Sequence, residues 1–85
     1  MVKELALSHA YVLVNVEIGA ESRIISDLRK ISDVTEAWVV YGVYDIVVKV
    51  KADSPEKLKE TVSERIRKID GVRNTLTLIP IEGFP

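Results

Sequence analysis

Three observations predict an α+β fold of order β-α-β-β-α-β. Strand-like and helix-like periodicities alternate along the chain. A helix-turn-strand unit occurs twice at constant offset. A glycine interrupts the most β-prone stretch. The repeat is "LRKISDVTEAWVV" at 28–40 against "IRKIDGVRNTLTL" at 66–78. Each half closes a helix, makes a short polar turn and enters a strand through a valine. Two such halves with right-handed crossovers give a ferredoxin-like sandwich: a four-stranded antiparallel sheet with two helices on one face. At 85 residues the chain is read as one domain, 1–85.

"HAYVLVNVEI" (9–18) alternates as a strand. Val12, Val14, Val16 and Ile18 share one face; Tyr11, Leu13, Asn15 and Glu17 share the other. Gly19 ends it. "AESRIISDLRKI" (20–31) sets Ile24, Ile25, Leu28 and Ile31 on one helical face. "VTEAWVVY" (34–41) is rich in β-branched and aromatic residues, and Gly42 supplies the hairpin turn. "YDIVVKVKA" (44–52) alternates again, with Ile46, Val48, Val50 and Ala52 inward. Ser54 as N-cap, Pro55 at the first helical position and Glu56 at the positive dipole end start a second helix. Leu58, Val62, Ile66 and Ile69 line it, Glu64 and Lys68 pair at i,i+4, and Gly71 closes it. "VRNTLTLIPI" (72–81) is the last strand. Pro80 marks its end or a sheet edge.

With both helices on one side, the opposite sheet face lies open. Tyr11, Leu13, Asn15, Glu17, Asp45, Val47, Lys49 and Lys51 point to it. The second and fourth strands allow two registers. Ala37, Val39 and Tyr41 read as core with Glu36, Trp38 and Val40 outside, whereas the repeat aligns Trp38 with Leu76, which reads as buried. Under either register large apolar residues remain on the open face. On so small a domain such a patch predicts an interface, here a homodimer, the alternative being a monomer that covers the patch with its own termini.

Composition narrows the function classes. A chain of this length buries about 60–65% of its unfolded surface. It has no cysteine, so disulfides and thiolate metal sites are excluded. His9 is the only histidine and has no partner for metal or nucleophilic chemistry; no metal or cofactor is expected. Net charge is −1 with both signs interleaved, so no direct nucleic-acid binding is expected. No apolar run approaches the roughly 18 residues of a membrane span, and the chain reads as cytoplasmic with no membrane partner. Paired cysteines for metal carriage are missing. The loop after the first strand has one glycine and its Arg23 lies within the helix, against an anion cradle. Lys49 and Lys51 stand where an RNA-recognition sheet needs aromatics.

The run "GVYDIVVKV" resembles the Gly-x-Tyr-Asp hairpin of the RAM domain, the C-terminal effector-binding and oligomerisation domain of the Lrp/AsnC regulators. The resemblance extends from about Ala10 to Glu82 through "L-x-K-I-x-D-V", the Asp53-Ser54-Pro55 helix start and "I-D-G-V-x-x-T-x-T". "MVKELALS" is too short for the helix-turn-helix of full-length members, so the chain reads as a stand-alone RAM domain. The resemblance implies an amino-acid effector held near the hairpin, with Gly42, Tyr44 and Asp45 central. Tyr41, Thr75 and Thr77 are further candidates. Asp45 can accept from the ammonium while N–H groups of the glycine turn receive the carboxylate. The competing role for Asp45 is to hold turn backbone N–H groups. The implied assembly is a homodimer joining others into an even-numbered ring, an octamer. It would modulate Lrp/AsnC-type regulators. A small dimeric monooxygenase-like enzyme and a purely structural oligomerisation module are the rival readings.

Overall fold

The structure, a computed structural model, describes residues 8–84. The strands are β1 (Ser8–Val16), β2 (Val34–Val39), β3 (Ile46–Ala52) and β4 (Val72–Leu78). α1 (Glu21–Arg29) follows β1, and α2 (Pro55–Glu60) follows β3, continuing as a π-helical turn over Thr61–Ile66. The sheet order is β2-β3-β1-β4, with antiparallel pairs throughout. The predicted fold is therefore the one formed. The core is the inward row of the two central strands, Ala10, Val12, Val14 and Val16 with Ile46, Val48 and Val50. Ile24, Leu28, Leu58, Val62 and Ile66 of the helical layer cover it.

Several expectations are corrected. β1 stops at Val16, and Ile18 is fully exposed rather than inward. The chain turns there: the Ala20 N–H donates to Glu17 O at 3.0 Å, and Gly19 takes φ +83°. β2 ends at Val39, so Tyr41 lies beyond the sheet and is fully exposed, not core. Ala37 packs against the core as expected, but Val39 is about half exposed. β3 begins at Ile46, which leaves Tyr44 and Asp45 in the hairpin.

The helix after β3 is not uniform. The stride of four from Leu58 to Val62 to Ile66 exceeds the 3.6 residues of an α-helical turn. The wider π turn, closed by the Arg67 N–H donating to Val62 O at 2.9 Å, keeps the row over the sheet. Ser54 caps the helix as predicted, its Oγ accepting from the Lys57 N–H at 3.1 Å. The ladder between β1 and β4 closes at Tyr11 opposite Leu78. Two residues on, that register would place Pro80 opposite His9, and proline has no N–H to contribute.

Register settles the two ambiguous strands. Trp38 lies opposite Val47 and Glu36 opposite Lys49, so both are on the open face. Leu76 opposite Leu13 and Leu78 opposite Tyr11 share that face; Leu76 is 44% exposed, not buried. Trp38 and Leu76 are thus equivalent in both halves of the repeat.

Gly71 has φ +98°, and its carbonyl accepts from the Glu17 N–H at 2.9 Å. A Cβ here would stand 2.8 Å from Arg23 Nη2 and 3.2 Å from Ile24 Cδ1. The arginine end can swing away, but the backbone strain stays. Gly71→Ala is expected to cost about 1–3 kcal/mol in chemical denaturation; an unchanged midpoint would refute it.

Asp33, in the turn before β2, joins α2 to that turn. Its Oδ2 accepts from Thr61 Oγ1 at 2.7 Å and from Lys57 Nζ at 3.1 Å. The Thr61 hydrogen bond, helped by that from Lys57 and its charge, outweighs desolvation and holds the carboxyl below its ordinary value. A carboxyl depressed in the fold stabilises it above the unfolded pKa, near 4. That contribution is lost as pH falls through the lower folded value. Thr61→Val should therefore cost about 1.5–3 kcal/mol at pH 7 and less near pH 2. Equal losses at both pH values would contradict this role.

Candidate functional site

The hairpin between β2 and β3 is closed by the Val40 N–H donating to Asp45 O at 2.9 Å, and the Asp45 N–H donates to Val14 O at 2.9 Å. Asp45 is thus stitched through its backbone to both neighbouring strands. Its side chain extends the link. Oδ2 accepts from the Val16 N–H at 2.9 Å and lies 3.4 Å from Asn15 Nδ2. Asn15 Nδ2 also donates to Val43 O at 2.9 Å, tying the loop down to β1. Asp45 does hold backbone, but that of the adjoining strand rather than of its own turn. Oδ1 has no hydrogen-bond partner among the described residues.

Gly42 lies at φ +153°, with nothing within 4 Å of where a Cβ would sit. The loop thus bends with its backbone open to solvent. Tyr41, Gly42 and Asp45 line a shallow concavity of about 460 Å³ with Glu21, Val39 and Val40. Glu21 enters from the first turn of α1.

The structure therefore brings Tyr41, Gly42 and Asp45 together. Tyr44 is half-buried and does not line the concavity. Thr75 and Thr77 are elsewhere. Their partners across β1 are Val14 and Val12, which face the helices. They lie on the opposite sheet face from Asp45, on the far side of β1, and within one chain cannot meet it. Thr77 instead lines a trough of about 1170 Å³ beside α2 and the C-terminal tail, with His9, Tyr11, Leu58 and Phe84.

Glu21 and Asn15 are site residues that periodicity did not single out. Glu21 falls within a stretch read only for its apolar helical face, and Asn15 is one of an outward row. Only the spatial meeting of the α1 start with the hairpin marks them.

Among the described residues no cluster of three or more His, Cys, Asp or Glu is placed to hold a metal. No helix among them is long and apolar enough to cross a membrane.

Residues 9–84 match the family described as the Lrp/AsnC ligand binding domain. The HTH-type transcriptional regulator FL11 of Pyrococcus horikoshii is 34% identical over 73 residues, 86% of this chain and 48% of that protein. The chain thus spans about half the length of the curated relatives it matches. A solved structure of hypothetical protein PHS023, also from Pyrococcus horikoshii, aligns at 36% identity with a TM-score of 0.82, covering 89% of this chain and 92% of that one. Transcriptional regulator NMB0573 from Neisseria meningitidis, solved in complex with L-Met, aligns with a TM-score of 0.81 over 92% of this chain and 52% of that one. At 14% identity that likeness is one of fold. A sheet with one bare face, a glycine hairpin pinned by Asp45 and a match over nearly the whole chain lead to one conclusion: this chain belongs to the Lrp/AsnC ligand binding domain family.

Proposed function

We propose that the chain is an effector-binding and assembly module whose effector is a free amino acid held at the β2–β3 hairpin. The observation that carries this reading is Asp45. One carboxylate oxygen is spent on Val16 and ties the hairpin to β1, while the other has no hydrogen-bond partner among the described residues, at the edge of a concavity. An α-ammonium suits that oxygen, and the exposed backbone around Gly42 suits a carboxylate. Tyr41 offers a wall and a hydroxyl.

The concavity is shallow, so a second subunit completes it in this reading. Tyr44, Thr75 and Thr77 contribute only where assembly brings a neighbouring subunit to the hairpin. The open sheet face supplies the first contact. Tyr11, Leu13, Trp38, Val47, Leu76 and Leu78 form one apolar surface across all four strands. Two copies bury it face to face, and dimers then join through their hairpin ends into an even-numbered ring, an octamer. Because the matched relatives are regulators about twice as long, the module acts by co-assembling with such regulators, and effector occupancy tunes that association.

Thermal unfolding in the presence of each amino acid, L-Met included, tests the reading. A ligand specific for the native state raises Tm by mass action, worth about 2.7 kcal/mol at a hundredfold excess over Kd. No shift with any amino acid at millimolar concentration would leave an assembly module without an effector.

A further inference from the structure

We infer that the C-terminal tail, residues 79–84, is a dimerisation strap that packs on a second copy of this chain. The inference rests on the dimer reading above and adds to it a segment outside the sheet. The tail leaves β4 directly after Leu78, on the same edge that carries Leu76 and Leu78 to the open face. Pro80 cannot continue the ladder with β1, so the chain peels away. It is nevertheless apolar: Ile79, Ile81 and Phe84 are three of its six residues. Ile81 is 93% exposed and Phe84 94% exposed, values at which a side chain gains nothing from its own subunit.

The sheet face supplies the first part of the interface, and a tail seated on the partner adds to it. A standard interface buries about 800 Å² per partner. A buried phenylalanine contributes about 150–250 Å², and each isoleucine roughly 100 Å² at the usual area coefficient. The tail thus adds a large share of such an area, and it is continuous with the apolar face beside it. A twofold interface uses each strap twice, because the same patch acts on both subunits. A different protein would have to match both the tail and the face beside it; a second copy does so by symmetry.

Three proteins test this: the full chain, a chain ending at Leu78, and the double variant Ile81→Ser/Phe84→Ser. The serines replace side chains already in solvent, so the subunit fold is expected to survive, as circular dichroism at high concentration will show. Dimer Kd is measured by sedimentation, with the single tryptophan, Trp38 on the open face, as a fluorescence reporter of the seam. The expected result is a dimer Kd weakened at least tenfold by the serines and at least a hundredfold by the truncation. Equal Kd for all three proteins overturns the strap and leaves the sheet-face dimer standing. Loss of higher rings with an unchanged dimer also overturns it, because the tail then serves a dimer–dimer contact. A monomeric full chain overturns strap and dimer together.

Discussion

Leu76→Asp is expected to leave the chain as a 9.5 kDa monomer at micromolar concentration, where the parent is expected to be the proposed dimer. Leu76 lies opposite Leu13 on the edge strand β4 of the open face, beside the apolar side chains that a partner sheet would cover. Placing an unpaired carboxylate in a desolvated seam costs about 3 kcal/mol or more. In a twofold interface the residue appears twice, so the total is about 6 kcal/mol, a weakening of about ten-thousandfold. The fold of the subunit should persist. Leu76 is already 44% exposed, and the core lies on the other side of the sheet. Sedimentation gives the mass, and circular dichroism checks the fold. A dimer of unchanged affinity would mean that assembly uses another surface.

Asp45→Asn is expected to weaken amino-acid binding by roughly tenfold to a hundredfold. In the proposed site it removes a charge-assisted hydrogen bond that would be worth about 1.5–3 kcal/mol while preserving shape. The amide can still accept from the Val16 N–H through its oxygen, so the hairpin stays pinned and the loss in stability should be smaller than the loss in affinity. Asp45→Ala removes both functions. It should lower Tm as well, because it leaves the 2.9 Å bond to Val16 unmade. Calorimetry on both variants beside the parent separates the roles. Full affinity in Asp45→Asn with a lowered Tm would make Asp45 a structural brace alone. The dimer should survive both substitutions, since the hairpin lies at the end of the apolar face.

The hairpin shows why a site is harder to read than a fold. Gly42 marks the bend directly, because few other residues tolerate its backbone angle. Tyr41 gave the opposite impression: it ends an alternating apolar run and reads as core, yet the ladder stops at Val39 and leaves it in solvent. The strand ends where Asp45 closes the loop with Val40, and periodicity carries no information about that closure. Thr75 and Thr77 read as possible site hydroxyls from the motif they share. Which face of the sheet they occupy depends on the register with β1.

The order of elements, the inward rows of the two central strands and the Ser54-Pro55 helix start were determined by the sequence alone. Each depends on periodicity or on the chemistry of adjacent residues, which act over a few positions. The register of the edge strands, the outward placement of Trp38 with Leu76, the π turn at Thr61–Ile66 and the meeting of Glu21 with Asp45 were decided only in three dimensions. Edge strands are covered on one flank and half-solvated, so their apolar residues do not announce a face. Glu21 and Asp45 are brought together because α1 crosses the sheet and begins where the hairpin ends, a consequence of packing that no local pattern encodes.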